Sequence, residues 1–199
     1  MRIIAGYLGG RILKTGKGDG YRPAMGKTRE ALFSMLEARG IAWSHVRALD
    51  LYAGTGSLAF EAISRGAPHA LMVENAQHAI HCLRQNIESL GLQNAVILWE
   101  GDVLRRLKKP PAEPYSLVFM DPPYGKNLAT PTFQLLNAHY WLTPGAFVTA
   151  EIEKNVRVTV PSHWQPEGDR LFGQTRILIW QVTDIHNPIE AYTAGNSLS

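Results

Sequence analysis

Cysteine is almost missing from this chain, with Cys82 alone among 199 residues. A single thiol can build neither an internal disulfide nor a multi-thiolate metal centre, so disulfide scaffolds and zinc ribbons are excluded. Long apolar runs are missing as well. No stretch of about 18 apolar residues occurs, and no membrane-spanning helix is expected. Met1-Arg2-Ile3-Ile4-Ala5-Gly6 leads into no apolar segment of the kind that marks a secretory signal. Charge is modest at 19%, against 45% apolar residues, and no segment is both highly charged and poor in aromatics, which excludes wholesale disorder. Nothing repeats internally. The expectation is one soluble, cytoplasmic, monomeric domain with a single real core.

What charge there is lies unevenly. Residues 1–40 carry eight basic side chains against Asp19, Glu30 and Glu37, a balance of +5, while the whole chain is +3. A basic arm on a slightly acidic body is the electrostatic footprint expected for a polyanion. Arg2, Arg11, Arg22, Lys27 and Arg29 are the expected phosphate contacts. The arm at 1–22 reads as a hairpin, two β-prone runs around a glycine-rich turn, followed by a loop. It is expected to be too small to gain much by packing.

Beyond it, Thr28 to Leu36 reads as an amphipathic helix. From Val46 onward, buried strands alternate with helices. Strands are expected at Val46–Tyr52, Ala70–Glu74, Ala95–Trp99, Ser116–Met120 and Gly145–Ile152. Helices are expected at Ser57–Arg65, Ala76–Leu90, Val103–Leu107 and Thr130–Tyr140. This predicts an α/β fold, a Rossmann-like, mostly parallel, doubly wound sheet. Residues 169–182 break the rhythm as two strands around Gly173, an antiparallel hairpin. The division expected is a basic arm at 1–22, a main domain at 23–182 and a flexible tail at 183–199.

Leu49-Asp50-Leu51-Tyr52-Ala53-Gly54-Thr55-Gly56-Ser57 is an apolar strand running into a glycine turn and a helix start. Glycines permit close backbone approach there, and the helix N-terminus offers unpaired N–H groups. The pattern satisfies G-x-G-x-x-A, with Glu74 twenty residues after Gly54, so a nicotinamide-dependent oxidoreductase is a candidate. Asp50 argues against it, because a carboxylate before the turn repels a pyrophosphate and suits a ligand with an ammonium and a sulfonium, S-adenosylmethionine. Glu74 is placed to accept ribose hydroxyls, and Asp102 an adenine amine, although Asp102 also has the position of a helix cap. Tyr52, Thr55 and Val103 complete the expected cofactor-binding set.

Val118-Phe119-Met120-Asp121-Pro122-Pro123-Tyr124 is an apolar strand ending in a turn stiffened by two prolines, whose carbonyls remain acceptors. One carboxylate, free carbonyls and an aromatic ring suit an exocyclic base amine. Asp121 and the Pro122 carbonyl accept its two protons while Tyr124 stacks on the base, with Pro123 holding the turn. Positioning rather than a strong base then does most of the catalysis.

In these residues the chain resembles the class I S-adenosylmethionine-dependent amino-methyltransferases. Arg2-Ile3-Ile4-Ala5-Gly6, Gly10-Arg11, Arg22-Pro23 and Arg29-Glu30-Ala31-Leu32-Phe33 look like the bacterial RsmD family. The resemblance runs from about residue 2 to residue 182, with two departures: Pro23-Ala24 stands where Pro-Thr is common, and Gly26 where a polar residue is expected. It implies methylation of a guanine N2 amine in 16S ribosomal RNA, on the small subunit or an assembly intermediate. Asp-Pro-Pro-Tyr alone is shared with DNA adenine methyltransferases, which remain a rival, as does a catalytically idle RNA-binding module.

Lesser signals carry no assignment. His78, His81 and Cys82 share a helix but lack two further metal ligands, so no metal is expected. Arg105-Arg106-Leu107-Lys108-Lys109 reads as a solvated face, with an RNA-backbone contact as the lesser alternative. The tryptophans read as core, except Trp164, whose loop is expected near the substrate cleft. Glu151 and Glu153 have no role assigned.

Overall fold

The computed structural model describes residues 1–16 and 23–183. Lys17, Arg22 and residues 184–199 of the tail expected at 183–199 lie outside the described residues.

The sheet is built from five segments rich in apolar residues, covered on both faces over most of their length except at the edge, where Ile97 stays exposed. These are β1 (Arg47–Leu51), β2 (His69–Glu74), β3 (Val96–Glu100), β4 (Tyr115–Met120) and β5 (Leu142–Glu153). Two further strands, β6 (Trp164–Phe172) and β7 (Thr175–Val182), close the chain as a hairpin. The order is β3-β2-β1-β4-β5-β7-β6. The first five strands run parallel, and β7 is antiparallel to both β5 and β6. The chain moves outward from β1 to β3 and then returns to β4 on β1's other side. The strand order therefore reverses beside β1, and in open α/β sheets ligands bind in the crevice at such a point.

Helices α1 (Pro23–Glu37), α2 (Ser57–Ser64) and α3 (Gln77–Leu90) cover one face. Their Leu32, Phe33, Leu36, Phe60, Ile63 and Leu83 pack on Ala48, Met72, Leu117 and Phe119. Helices α4 (Val103–Leu107) and α5 (Ala129–Ala138) cover the other, where Leu107, Phe133 and Leu136 meet Leu49, Leu51, Val118 and Met120.

The strand boundaries hold to within a few residues except in β6, which begins at Trp164 instead of 169. Pro166 and Gly168 obscure it in the sequence. Both are tolerated because β6 is an edge strand with an irregularity between those two residues. Trp164 is 3% exposed and meets Phe133 edge-on at 5.5 Å. It is core, and the expectation that it borders the substrate cleft is corrected.

The N-terminal segment is a hairpin, with Arg2 and Ile12 bridged antiparallel. It is not, however, an arm that gains little by packing. Ile3, Leu8 and Leu13 are buried in the same core cluster as α1 and α2. Glu61 in α2, 0% exposed, accepts the N–H of Ile4 at 2.6 Å and of Ala5 at 3.0 Å. Gly6, at φ +78, crosses α2 so closely that an added Cβ would lie 1.8 Å from the Ser64 carbonyl oxygen. Asn86 of α3 pairs with the Lys14 backbone in both directions, at 2.8 and 3.0 Å. The hairpin is fastened to the helices covering the first face.

Candidate active site

Side chains alternate across a strand, so partners in register share a face. In β1, Ala48 belongs to the α1–α3 face and Leu49 and Leu51 to the opposite one, which puts Asp50 on the former. The same alternation places Glu74 after Ala70 and Met72, and Asp121 after Leu117 and Phe119. Met120 pairs with Ala150, both facing α4 and α5, so Asp121 and Glu151 stand side by side on the α1–α3 face. Four carboxylates from four neighbouring strands thus line one face of the sheet at its carboxyl edge.

Three of the sequence-predicted acids have backbone work within the fold. The Asp50 carboxylate, 1% exposed, accepts the Ala59 N–H at 3.1 Å and so orients the first turns of α2. Glu74 accepts from Gly54 at 2.8 Å through one oxygen, and from Asn75 and Ala76 at 2.7 and 2.8 Å through the other. It therefore holds the glycine turn against the end of β2. Asp102 caps α4 by accepting the Arg105 N–H at 2.8 Å, the alternative its position suggested, and remains exposed. Val103, its neighbour, is buried.

The turn between β1 and α2 is built for close approach. Gly54 and Gly56 have φ of +52 and +73, in the left-handed region. An added Cβ on Gly56 would run into Leu83 and Phe60 at 2.6 and 2.7 Å, so that glycine serves packing. On Gly54 it would meet nothing nearer than the Tyr52 carbonyl oxygen at 3.9 Å. Gly54 faces open space beside Glu74, a cradle that a side chain would fill. Tyr52 itself adopts φ +62. Its hydroxyl pairs with Thr132 at 2.8 Å, and burial pushes its pKa up to about 12. Thr55 lies half-buried beside the same turn.

At the end of β4, Pro122 is buried while Pro123 and Tyr124 are exposed. The Tyr124 hydroxyl pairs with Thr175 of β7 at 2.8 Å, and the Gly125 N–H donates to Glu153 at 2.6 Å. These contacts fix the turn against β5 and β7. Asp121 has no hydrogen-bond partner for its carboxylate among the described residues. Burial, and then the neighbouring Glu151, raise its pKa to about 8. Burial raises Glu151 too, and burial with the charges of Asp121 and Glu74 lifts Asp50 well above the usual carboxylate range. Among the described residues no positive side chain relieves Asp50, Asp121 or Glu151. A crevice short of positive charge, with a bare glycine cradle at one end and a stiff acceptor turn at the other, fits a cationic nucleoside beside a base amine.

The expected RNA contacts separate into two kinds. Arg2, Arg11 and Lys27 are exposed, although Arg11 also donates to the Ser89 carbonyl at 2.9 Å. Arg29 is 7% exposed, and its guanidinium donates to the Arg2 carbonyl oxygen at 2.5 Å. It braces the hairpin against α1, which corrects the expectation that it contacts phosphate. Glu151 is the site residue that sequence reasoning left without a role. The signal available was its position, one residue past the same apolar run in β5 that Asp121 ends in β4.

Comparison with known proteins bears on the family and the fold. A model of the family described as conserved hypothetical protein 95 matches residues 1–181. A ribosomal RNA small subunit methyltransferase D of Buchnera aphidicola is 35% identical over 81% of this chain and 83% of its own. Its counterpart in Escherichia coli K12 is 31% identical over 91% and 89%. The solved structure of a putative methyltransferase from Escherichia coli superimposes with TM-score 0.82 at 30% identity, covering 92% of this chain and 98% of that one.

Proposed function

The chain belongs to the family described as conserved hypothetical protein 95, and on that premise we propose that it is an S-adenosylmethionine-dependent methyltransferase acting on the exocyclic N2 amine of a guanine in 16S ribosomal RNA. The observation that carries this reading is the Asp121 carboxylate, half-buried and without a hydrogen-bond partner among the described residues, beside the Pro122 carbonyl and Tyr124.

S-adenosylmethionine, when bound, supplies an electrophilic methyl group on a positively charged sulfur. The residues that would hold it are Asp50, Tyr52, Gly54, Thr55, Gly56, Glu74, Asp102 and Val103. Gly54 leaves room for it, and the uncompensated acids favour its cationic form over the neutral-sulfur product. Asp102 keeps a second oxygen beside the cap for an adenine amine.

The chain's own part in the chemistry is orientation. Asp121 and the Pro122 carbonyl accept the two protons of the amine, which turns its lone pair out of conjugation with the ring. Tyr124, half-exposed, offers a face for the base, and its hydroxyl contact to Thr175 fixes the ring. As the nitrogen gains the methyl it must lose one proton, and Asp121, in hydrogen-bond reach of that proton, takes it up. The exposed Arg2, Arg11 and Lys27 supply phosphate contacts. The enzyme is read as a cytoplasmic monomer acting on small-subunit RNA or an assembly intermediate.

The test is to map base methylation in ribosomal RNA from a deletion strain. One guanine should lose its N2-methyl group and regain it with the wild-type gene but not with Asp121→Ala. Unchanged methylation in the deletion strain would overturn the proposal.

A further inference from the structure

Glu151 takes no part in the chemistry described so far, yet it stands beside the group that does. The parallel register Met120↔Ala150 sets Asp121 and Glu151 on adjacent strands and one face, roughly 4.8 Å apart across the sheet. Tyr124 lies within the electrostatic reach of both carboxylates. Glu151 is half-buried and accepts no hydrogen bond among the described residues. Glu153, on the next same-face position, is occupied by the Gly125 N–H. The fold thus holds two unpaired carboxylates side by side where one suffices to accept an amine proton.

A second ionised carboxylate distinguishes the bases that carry an exocyclic amine. Once the pair is ionised, the state in which Asp121 can take the amine proton, Glu151 can only accept. In adenine the ring nitrogen next to the amine is a lone-pair acceptor, and the same holds for cytosine. In guanine the 2-amine adjoins the N1–H, a donor, so two neighbouring acceptors match guanine and oppose the other two. We propose that Glu151 is the residue that makes this site read guanine, its carboxylate accepting the N1–H while Asp121 and the Pro122 carbonyl hold the 2-amine. This rests on the methyltransferase reading above and adds to it the group that selects the base. A carboxylate facing a ring lone pair would leave two acceptors opposed in a buried site, which is how polar sites reject near-isosteres.

The test uses small-subunit ribosomal RNA with either guanine or 2-aminopurine ligated in at the mapped position. 2-Aminopurine keeps the 2-amine but has a lone pair at N1. It also lacks the 6-oxygen, a loss common to every enzyme form, so the guanine-to-2-aminopurine ratio of kcat/KM is compared between wild type and variants. Wild type should prefer guanine. Glu151→Ala should shrink that ratio by about 10- to 100-fold, the scale of one hydrogen bond to a charged group. Glu151→Gln keeps the volume should the alanine variant fail to fold. Its amide can donate to the N1 lone pair, so its rate on 2-aminopurine should hold or rise while that on guanine falls. Equal loss on both substrates in Glu151→Gln, with the ratio unchanged, would mean that Glu151 is structural support only and would overturn the inference. Transfer of methyl by wild type to another base would overturn the guanine-N2 assignment of the proposed function itself, whereas an unchanged ratio with guanine still methylated would overturn only the role of Glu151, which separates the two failures.

Discussion

Glu61 and Ile4 lie 57 residues apart in sequence and 2.6 Å apart in space, the buried carboxylate of α2 accepting the hairpin's backbone N–H. The second Glu61 oxygen serves Ala5 at 3.0 Å, and Arg65 forms an ion pair with the same carboxylate at 2.9 Å. One side chain therefore satisfies two backbone donors and anchors the hairpin to the domain. Glu61→Ala would strand those donors and leave Arg65 with Glu37 as its one remaining carboxylate among the described residues. The expected loss is about 3 kcal/mol, read as a lower midpoint in urea with an unchanged slope. A loss no greater than that of an exposed substitution such as Glu88→Ala would show that water replaces the carboxylate freely.

That contact also shows where sequence reasoning stops. Strands such as β2 and β4 are legible because both their faces are covered, so residues 70–73 and 117–120 are unbroken apolar runs. The glycine turn and the Asp-Pro-Pro-Tyr turn are legible because backbone chemistry restricts what such residues can do locally. The seating of the hairpin depends on Ile3, Leu8 and Leu13, whose spacing through a glycine-rich stretch follows no regular period, and on an acceptor 57 residues away. Arg29 reads as one more basic residue until the Arg2 carbonyl is seen beside it. Glu151 acquires meaning only from its register with Asp121, a pairing across strands that no local pattern encodes.

The cofactor cradle can be tested at its open end. Gly54 has φ +52 and space beside it, so Gly54→Val both strains the turn and fills the cradle. S-adenosylmethionine binding should fall by at least about tenfold, measured by calorimetry, while NAD should bind neither protein. Asp50→Ala should weaken binding as well, and it should also loosen α2 through the lost Ala59 contact. Unaltered affinity in Gly54→Val would place the cofactor elsewhere.

Chemistry and cofactor binding separate at Asp121. Asp121→Ala should slow methyl transfer by about a hundredfold or more, the scale of losing a group that acts in the transition state. S-adenosylmethionine affinity should change little, since Asp121 faces the base. Normal turnover in the variant would remove the catalytic reading of the turn.

Because the hairpin is part of the fold, deleting it would damage the domain and could say nothing about RNA. Point changes at its exposed cations are the cleaner probe. Arg2→Ala with Arg11→Ala should weaken RNA binding and reduce the slope of log affinity against log salt by about 1.4 to 1.8, if each contacts one phosphate. Filter binding across a salt series measures this, with S-adenosylmethionine affinity as the control for folding. Identical slopes for variant and wild type would mean that these side chains touch no phosphate.

The pH dependence follows from the pair Asp121 and Glu151, with Tyr124 beside it and Asp50 facing it from β1. Asp121 is raised to about 8 in the folded protein from 3.8 for the free side chain. Below about 8 it is protonated in the free enzyme and cannot accept an amine proton, so kcat/KM should rise with pH through that value. Stability runs the opposite way. Between 3.8 and about 8 the folded chain binds a proton that the unfolded chain has released, so stability falls as pH rises through this window and levels above it. Asp121→Asn removes that cost and relieves Glu151 of its charged neighbour. The variant should therefore melt close to wild type near pH 4, and several degrees higher near pH 8.5. Melting curves that stay parallel across the whole range would mean that Asp121 is ionised in the folded protein at neutral pH, and the predicted rise in kcat/KM would be lost with it.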